Sequence, residues 1–358
     1  MSSSAFQKAL STILMMLSLL GCKEEPKLQE PPVDWQASIP RVRGNAIYHW
    51  KTVFDLKEDE ITFLSSHSVR KIYVRFFDVD VETSPMNATY SAIPIGTTTF
   101  KSPKLPNIEI VPTVFITVKS LISTREEGID ELATRIYTRV CNMADYNDLG
   151  PIREIQLDCD WTNSTQIIFY SLCEKMVNLA HADSILVSST IRLHQLKKKS
   201  PPVDQGVLMV YNTGALRETG TRNSILDYDD VKAYLSGNTI HYSLPLDFAF
   251  PTYGWGLVFR DGAFNGILHK TDYSDETRYK KGKEGTFIVK KDHIIEGRSL
   301  CESDVIRMEY PTADEVKKVA ELVVSSVRDS THSVILYHLD SNNLLKFTDD
   351  EISSLYSY

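Results

Sequence analysis

Eight β-rich segments alternating with helical patterns predict an α/β chain closed into a (β/α)8, TIM-like barrel. Two observations carry this reading. The segments are largely apolar runs, as strands covered on both faces read, and polar or aromatic residues collect at their C-terminal ends. Midway along the chain, Arg153 to Trp161 alternates: Ile155, Leu157 and Cys159 share one face, and Glu154, Gln156, Asp158 and Asp160 share the other. An open α/β sheet is the competing architecture. The count of eight, the polar ends recurring from Trp50 to His338, and the lack of a glycine-rich dinucleotide fingerprint favour the barrel.

In order, Asn45 to Lys51 is the first strand, with His49 and Trp50 near its end, and Leu56 to Ser66 is a short amphipathic helix. Arg70 to Val79 is the second strand and carries Arg75 and Asp78. Thr83 to Pro106 contains four prolines and no helical period, so it reads as a long loop. Ile108 to Thr117 is the third strand. Gly128 to Met143 places Ile129, Leu132, Ile136, Val140 and Met143 at helical spacing. The acidic segment is the fourth strand, and Ser164 to His181 the helix after it. Ile185 to Leu196 is the fifth strand, with Arg192 and His194; Gly206 to Asn212 is the sixth, ending in Tyr211 and Asn212. Asp227 to Leu235 is a short helix, and the seventh strand lies within Asn238 to Phe250, ending near Asp247.

Residues 254–310 break the alternation. Tyr253 and Trp255 lie in an aromatic, glycine-rich run, and Asp261-Gly262 is a hairpin turn signal, so this stretch reads as an antiparallel insertion near the seventh and eighth strands. Ala313 to Arg328 restores a helix, Ser333 to Leu339 is the eighth strand, leading to His338 and Asp340, and Asp349 to Tyr358 is a short helical tail.

Residues 1–21 read as a lipoprotein signal peptide: Lys8 precedes an apolar run from Ala9 to Leu20, too short to span a bilayer as a mature helix. It ends in Leu19-Leu20-Gly21-Cys22, which resembles the bacterial lipobox, with Cys22 the lipidated residue. Lys23-Glu24-Glu25 resembles the export signal of surface lipoproteins of the Bacteroidetes. Residues 22–32 read as a polar, proline-rich tether and 33–358 as the barrel domain. The expected location is the bacterial cell envelope, on the outer membrane, with the lipid bilayer a partner through the anchor.

The 358 residues suffice for one large barrel, and 42% apolar content supports a core. A formal charge of -8 gives no support for a nucleic-acid partner. Cys141, Cys159, Cys173 and Cys301 lack zinc-site spacing, and the histidines lack a local metal motif, so no metal and no cofactor is expected.

The segments Glu154 to Trp161, Ser189 to His194 and Leu208 to Gly214 resemble an uncharacterised family of bacterial exported lipoproteins with a barrel related to glycoside hydrolases. The resemblance runs through most of residues 45–340 and implies an oligo- or polysaccharide partner. The alternating acids are also similar to the fourth strand of chitinase-like hydrolases. That motif ends in a Glu two residues beyond its last Asp, where this chain has Thr162.

Glycoside hydrolysis uses an acid at the leaving oxygen and a second carboxylate, about 5–5.5 Å away for retention or about 6.5–9.5 Å for inversion. Asp158 and Asp160 share a face and lie two residues apart, so about 6.5–7 Å separates their backbone positions. Asp160, nearer the strand end, is the candidate acid and Asp158 its helper. Structural pairing with Arg192 or Arg75, and sugar binding without turnover, remain open beside catalysis. His49, Trp50, Arg75, Asp78, Gln156, Trp161, Arg192, His194, Tyr211, Asn212, Tyr253, Trp255 and His338 are candidates for contacting the sugar, the tryptophans as flat faces. The function expected is that of a surface-anchored glycan-active protein, either a hydrolase with paired carboxylates or a noncatalytic carbohydrate-binding or scaffold lipoprotein.

Mass spectrometry of the mature N-terminus tests the anchor. Cys22 is expected as the first residue and acylated; an unmodified peptide reading through Gly21-Cys22 would exclude it.

Overall fold

The computed structural model describes residues 43–82, 91–102, 105, 107–235, 242–269, 272–283, 285–327 and 332–358. The signal peptide, the tether and Cys22 lie outside the described residues. Eight strands form the barrel: β1 (Ala46–His49), β2 (Lys71–Glu82), β3 (Glu109–Ile116), β4 (Glu154–Asp158), β5 (Leu186–Arg192), β6 (Gln205–Met209), β7 (Leu246–Pro251) and β8 (Val334–Tyr337). Each pairs in parallel with the next, and β8 pairs in parallel with β1, so the sheet closes. The helices are α1 (Glu58–Ser66), α2 (Val118–Ser123), α3 (Ile129–Tyr146), α4 (Gln166–Ala182), α5 (Tyr228–Leu235), α6 (Ala313–Ser326), α7 (Ser341–Leu344) and α8 (Asp349–Leu355).

Strand parity decides what fills the barrel. The apolar face of β4, Ile155 and Leu157, joins one continuous core with the buried stripes of α3 (Ile129, Leu132, Ile136, Val140) and α4 (Phe169, Leu172, Cys173, Met176). The polar face makes bonds to neighbouring strands. Glu154 accepts from Lys71 Nζ at 2.5 Å and Ser188 Oγ at 2.6 Å. Gln156 Oε1 accepts from Tyr48 Oη at 2.7 Å, and Tyr48 stacks on Tyr73 with 4.9 Å between ring centroids. Asp158 accepts from Thr190 Oγ1 at 2.6 Å. Burial alone would raise the Glu154 pKa, but the Lys71 charge and the bonds from Lys71 and Ser188 outweigh it and hold the carboxyl below its ordinary range. Gly206 on β6 is a packing requirement: a Cβ there would lie 2.7 Å from Leu246 Cδ2 and 2.9 Å from Ile191 Cγ1.

Three boundaries differ from the sequence reading. The seventh strand begins at Leu246, where it was expected to finish, because Pro245 stands just ahead of the strand. The fifth strand stops at Arg192, and Leu193–Gln195 forms a 3-10 turn. The stretch read as a loop contains a strand, Ser91–Ile95, antiparallel to β2, which therefore runs on to Glu82; residues 83–90 of that loop lie outside the described residues. Pro94 on this short outer strand hid it from a strand reading.

The insertion between β7 and β8 is a five-stranded antiparallel sheet in the order 263–268, 255–260, 305–309, 286–289, 279–281. Asp261 and Gly262 turn its first hairpin, both with positive φ (50° and 77°). Val258, Leu268, Tyr279, Val289, Leu300 and Ile306 give it a small core of its own.

Candidate functional site

Asp158 is the last residue of β4 and is buried, whereas Asp160 lies beyond the strand with its side chain 56% exposed. One guanidinium closes both. Arg192, the last residue of β5, donates from Nε to Asp160 Oδ1 and places Nη2 3.4 Å from Asp158 Oδ1. Its backbone N–H donates to Gln195 Oε1 at 2.8 Å, and Gln195 Nε2 donates to the Trp161 carbonyl at 3.2 Å, so the turn after β5 is tied to the end of β4. Burial raises the Asp158 pKa; Arg192 and Thr190 pull it back without cancelling that effect. Burial would lower the Arg192 pKa, but Asp158, Tyr211 and Asp160 outweigh it and raise it. Asp78 is held in the same manner: Arg75 Nε donates to its Oδ1 at 2.7 Å and Nη2 to its Oδ2. The Arg75 guanidinium also lies 5.9 Å from the Trp50 ring centroid.

Beside this closed acid group lies a cleft of about 730 Å³ between the ends of β1, β6, β7 and β8 and the insertion. Six of the sequence-selected residues line it: Trp50, Tyr211, Asn212, Tyr253, Trp255 and His338. Neither Asp158, Asp160 nor Arg192 is on its wall. Its aromatic lining interlocks. Tyr211 and Tyr337 have centroids 4.9 Å apart, and Tyr253 meets Tyr337 at 5.6 Å and Trp255 at 5.3 Å. Tyr253 donates its hydroxyl to Asn212 Oδ1 at 2.6 Å, and Asn212 adopts a positive φ of 54°, which asparagine tolerates better than most residues. The Trp255 indole N–H donates to Glu309 Oε2 at 2.9 Å; Arg307 Nε, at 2.8 Å, and the Ser224 N–H, at 3.0 Å, hold that carboxylate. The platform is thus fixed from behind by buried polar bonds.

Several expected sugar contacts fall elsewhere. Trp161 is fully buried against Phe169 and Tyr170, with the Lys198 ammonium 5.3 Å from its ring centroid, so its face is not available to a sugar. Gln156 is fully buried among Tyr48, Thr113 and Ser188. His49 is 1% exposed and meets Phe54 edge to face. His194 is exposed in the 3-10 turn, off the cleft wall, and Arg75 and Asp78 are engaged with each other. Sequence reasoning missed Tyr337, one residue before the selected His338, and the insertion residues Leu268, His269, Asp272, Tyr273 and Met308, together with Lys346. Gly256 admits one of them: a Cβ there would lie within van der Waals overlap of the Tyr273 hydroxyl. Among the described residues no cluster of His, Cys, Asp or Glu is arranged to hold a metal ion.

No family model and no curated protein sequence matches the chain. Solved structures do resemble it. The Group IV chitinase of Ostrinia furnacalis shares 10% sequence identity at a TM-score of 0.50, over 88% of this chain and 99% of that one. The same chitinase in complex with allosamidin gives 10% and 0.50, over 88% and 98%. A chitinase from Chromobacterium violaceum gives 12% and a TM-score of 0.47, over 88% and 98%. At a TM-score of 0.50 the likeness shows the fold: an α/β barrel of the kind chitinases use.

Two histidines, His49 at the end of β1 and His338 just past β8, set a pH dependence. Burial, with Lys51 and His338 adding to it, lowers the His49 pKa to about 3. Burial, opposed by Asp340 and reinforced by Lys51 and His269, lowers that of His338 to about 4. Both rings have a buried Nδ1 with no hydrogen-bond partner. Below about pH 6.5 the unfolded chain takes up protons that the folded rings refuse, so stability present above that value is lost as pH falls toward their folded values. Each ring costs about 1.4 kcal/mol per pH unit within its window. Melting curves from pH 7 to pH 4 should show a falling midpoint, with a shallower slope in the His49→Gln, His338→Gln double variant. An identical slope in both proteins would contradict this assignment.

Proposed function

We propose that this is a surface-anchored, noncatalytic glycan-binding protein built on a glycoside-hydrolase-like barrel. One observation carries the reading: neither Asp158 nor Asp160 lines the aromatic cleft, and both acids are engaged with Arg192. An acid catalyst must present a proton at the scissile oxygen, within hydrogen-bond reach of the bound sugar. The cleft wall contributes instead an aromatic platform and amide groups, the pairing that recognises a sugar's apolar ring face and its hydroxyls. Of the carboxylates on or behind the cleft wall, Asp340 accepts from Lys51 Nζ at 3.0 Å and Glu309 is held by Arg307, while Asp272 accepts, among the described residues, only from Ser274. The position at which chitinase-like strands end in Glu is Thr162. Anchoring through Cys22 would set the cleft at the cell surface to hold polysaccharide there.

A hydrolytic reading has its own support in the raised Asp158 pKa and the exposed carboxyl of Asp160, with Asp160 as acid and Asp158 as helper. The two readings separate in one experiment. Oligosaccharides, chito-oligosaccharides first, are titrated by calorimetry and the products analysed after long incubation. Binding without cleavage is expected, and Trp255→Ala should weaken it by about tenfold, or ~1.4 kcal/mol. Cleavage by the wild type that Asp160→Asn cuts by roughly 100-fold, with binding retained, would establish the hydrolase instead.

A further inference from the structure

The cleft holds a cation that the fold itself does not use. Lys346 follows α7, past the end of β8, and lines the cleft. Its Nζ lies over Gly254, the residue before Trp255: a Cβ at 254 would stand 3.2 Å from that nitrogen, 2.7 Å from the Glu309 carbonyl oxygen and 2.9 Å from Tyr310 Cβ. The Glu309 carbonyl and Tyr310 require glycine at 254, and the Lys346 ammonium lies close against that bare backbone.

Lys51 and Asp340, also on this wall, are matched to partners, while the Asp272 carboxylate is held, among the described residues, only by Ser274. Lys51 bridges Glu60 at 2.9 Å and Asp340 at 3.0 Å. Asp340 also caps α7 through the Asn342 N–H at 3.1 Å. The Asp272 carboxylate accepts from the Ser274 N–H and hydroxyl, both at 2.9 Å. Among the described residues no carboxylate lies within ion-pair distance of Lys346. Desolvation by the cleft wall lowers the Lys346 pKa, with Asp340 opposing it, although the residue remains exposed. An ammonium on a cleft wall with no carboxylate in ion-pair distance can take an anion brought by a ligand. Asn212 lies on the same wall and accepts from Tyr253 through its oxygen, which leaves its amide N–H groups for hydroxyls beside that anion.

We infer that the cleft selects a glycan carrying an anionic substituent, a uronate carboxylate or a sulfate ester, which docks on Lys346 while a neighbouring sugar ring lies on Trp255. This inference rests on the glycan-binding reading and adds the substrate class. A negative formal charge of -8 makes the protein a poor general polyanion binder, so recognition here would be local to one ammonium.

The test titrates the full mature protein with three probes of similar length: an oligogalacturonate, a sulfated galactan oligosaccharide free of carboxylate, and a neutral chito-oligosaccharide. At least one anionic probe should bind about tenfold or more tightly than the neutral one, and should weaken as salt rises. Lys346→Gln should remove about tenfold of that affinity and leave the neutral probe unchanged, whereas Lys346→Arg should retain most of it. The probe that responds identifies carboxylate or sulfate as the group. Neutral binding as tight as either anionic probe, or anionic binding untouched by Lys346→Gln, would overturn the inference; if Trp255→Ala still weakened such binding, the glycan-binding reading would stand. No binding of any probe would sink both.

Discussion

The inward face of β4 is the constraint on which the rest depends. Closing eight parallel strands leaves Glu154, Gln156 and Asp158 buried, away from water, and each must find a partner on another strand. Lys71 and Ser188 satisfy the first, Tyr48 the second, Thr190 and Arg192 the third. The column of bonds therefore links β4 to β1, β2 and β5, and it ends at the mouth with a guanidinium shared between two carboxylates. A buried polar column of this kind adds little net stability compared with an apolar filling, but removing one partner leaves an unpaired group and is costly. That asymmetry favours keeping Arg192 between the two carboxylates.

The cleft follows from a second feature of the chain, the insertion of a small antiparallel sheet between the last two barrel strands. Trp255 and Gly256 open its first strand, directly after Tyr253 and the end of β7, so the transition from barrel to insertion is itself the aromatic wall. Glu309, at the end of the strand paired with Trp255, locks the indole from behind. Rigid aromatic faces fixed by buried hydrogen bonds lose little conformational entropy on binding, which is how a shallow site gains affinity for a weakly interacting ligand such as a sugar.

Much of the barrel was legible because parallel strands covered on both faces must be apolar throughout, and polar ends mark one rim. The parity of β4 correctly turned Gln156 and Asp158 inward. The strand at Ser91–Ile95 was hidden because Pro94 lies inside it, and proline argues against a strand unless the strand stands at an edge. The cleft was half legible. Trp50, Tyr211, Asn212 and His338 stand at or just beyond strand ends, where side chains near a barrel rim are expected, whereas Tyr273 and Met308 reach it only through the fold of the insertion. Trp161 misled because an aromatic just past an acidic strand looks like a platform; the pattern does not show that α4 supplies Phe169 and Tyr170 to bury it.

A crystal structure with a bound oligosaccharide tests the central claim most directly. The account predicts sugar rings against Tyr253 and Trp255, with Arg192 still bridging Asp158 and Asp160. A ring seated over Asp160, with Arg192 displaced and the carboxyl within hydrogen-bond reach of a glycosidic oxygen, would contradict it.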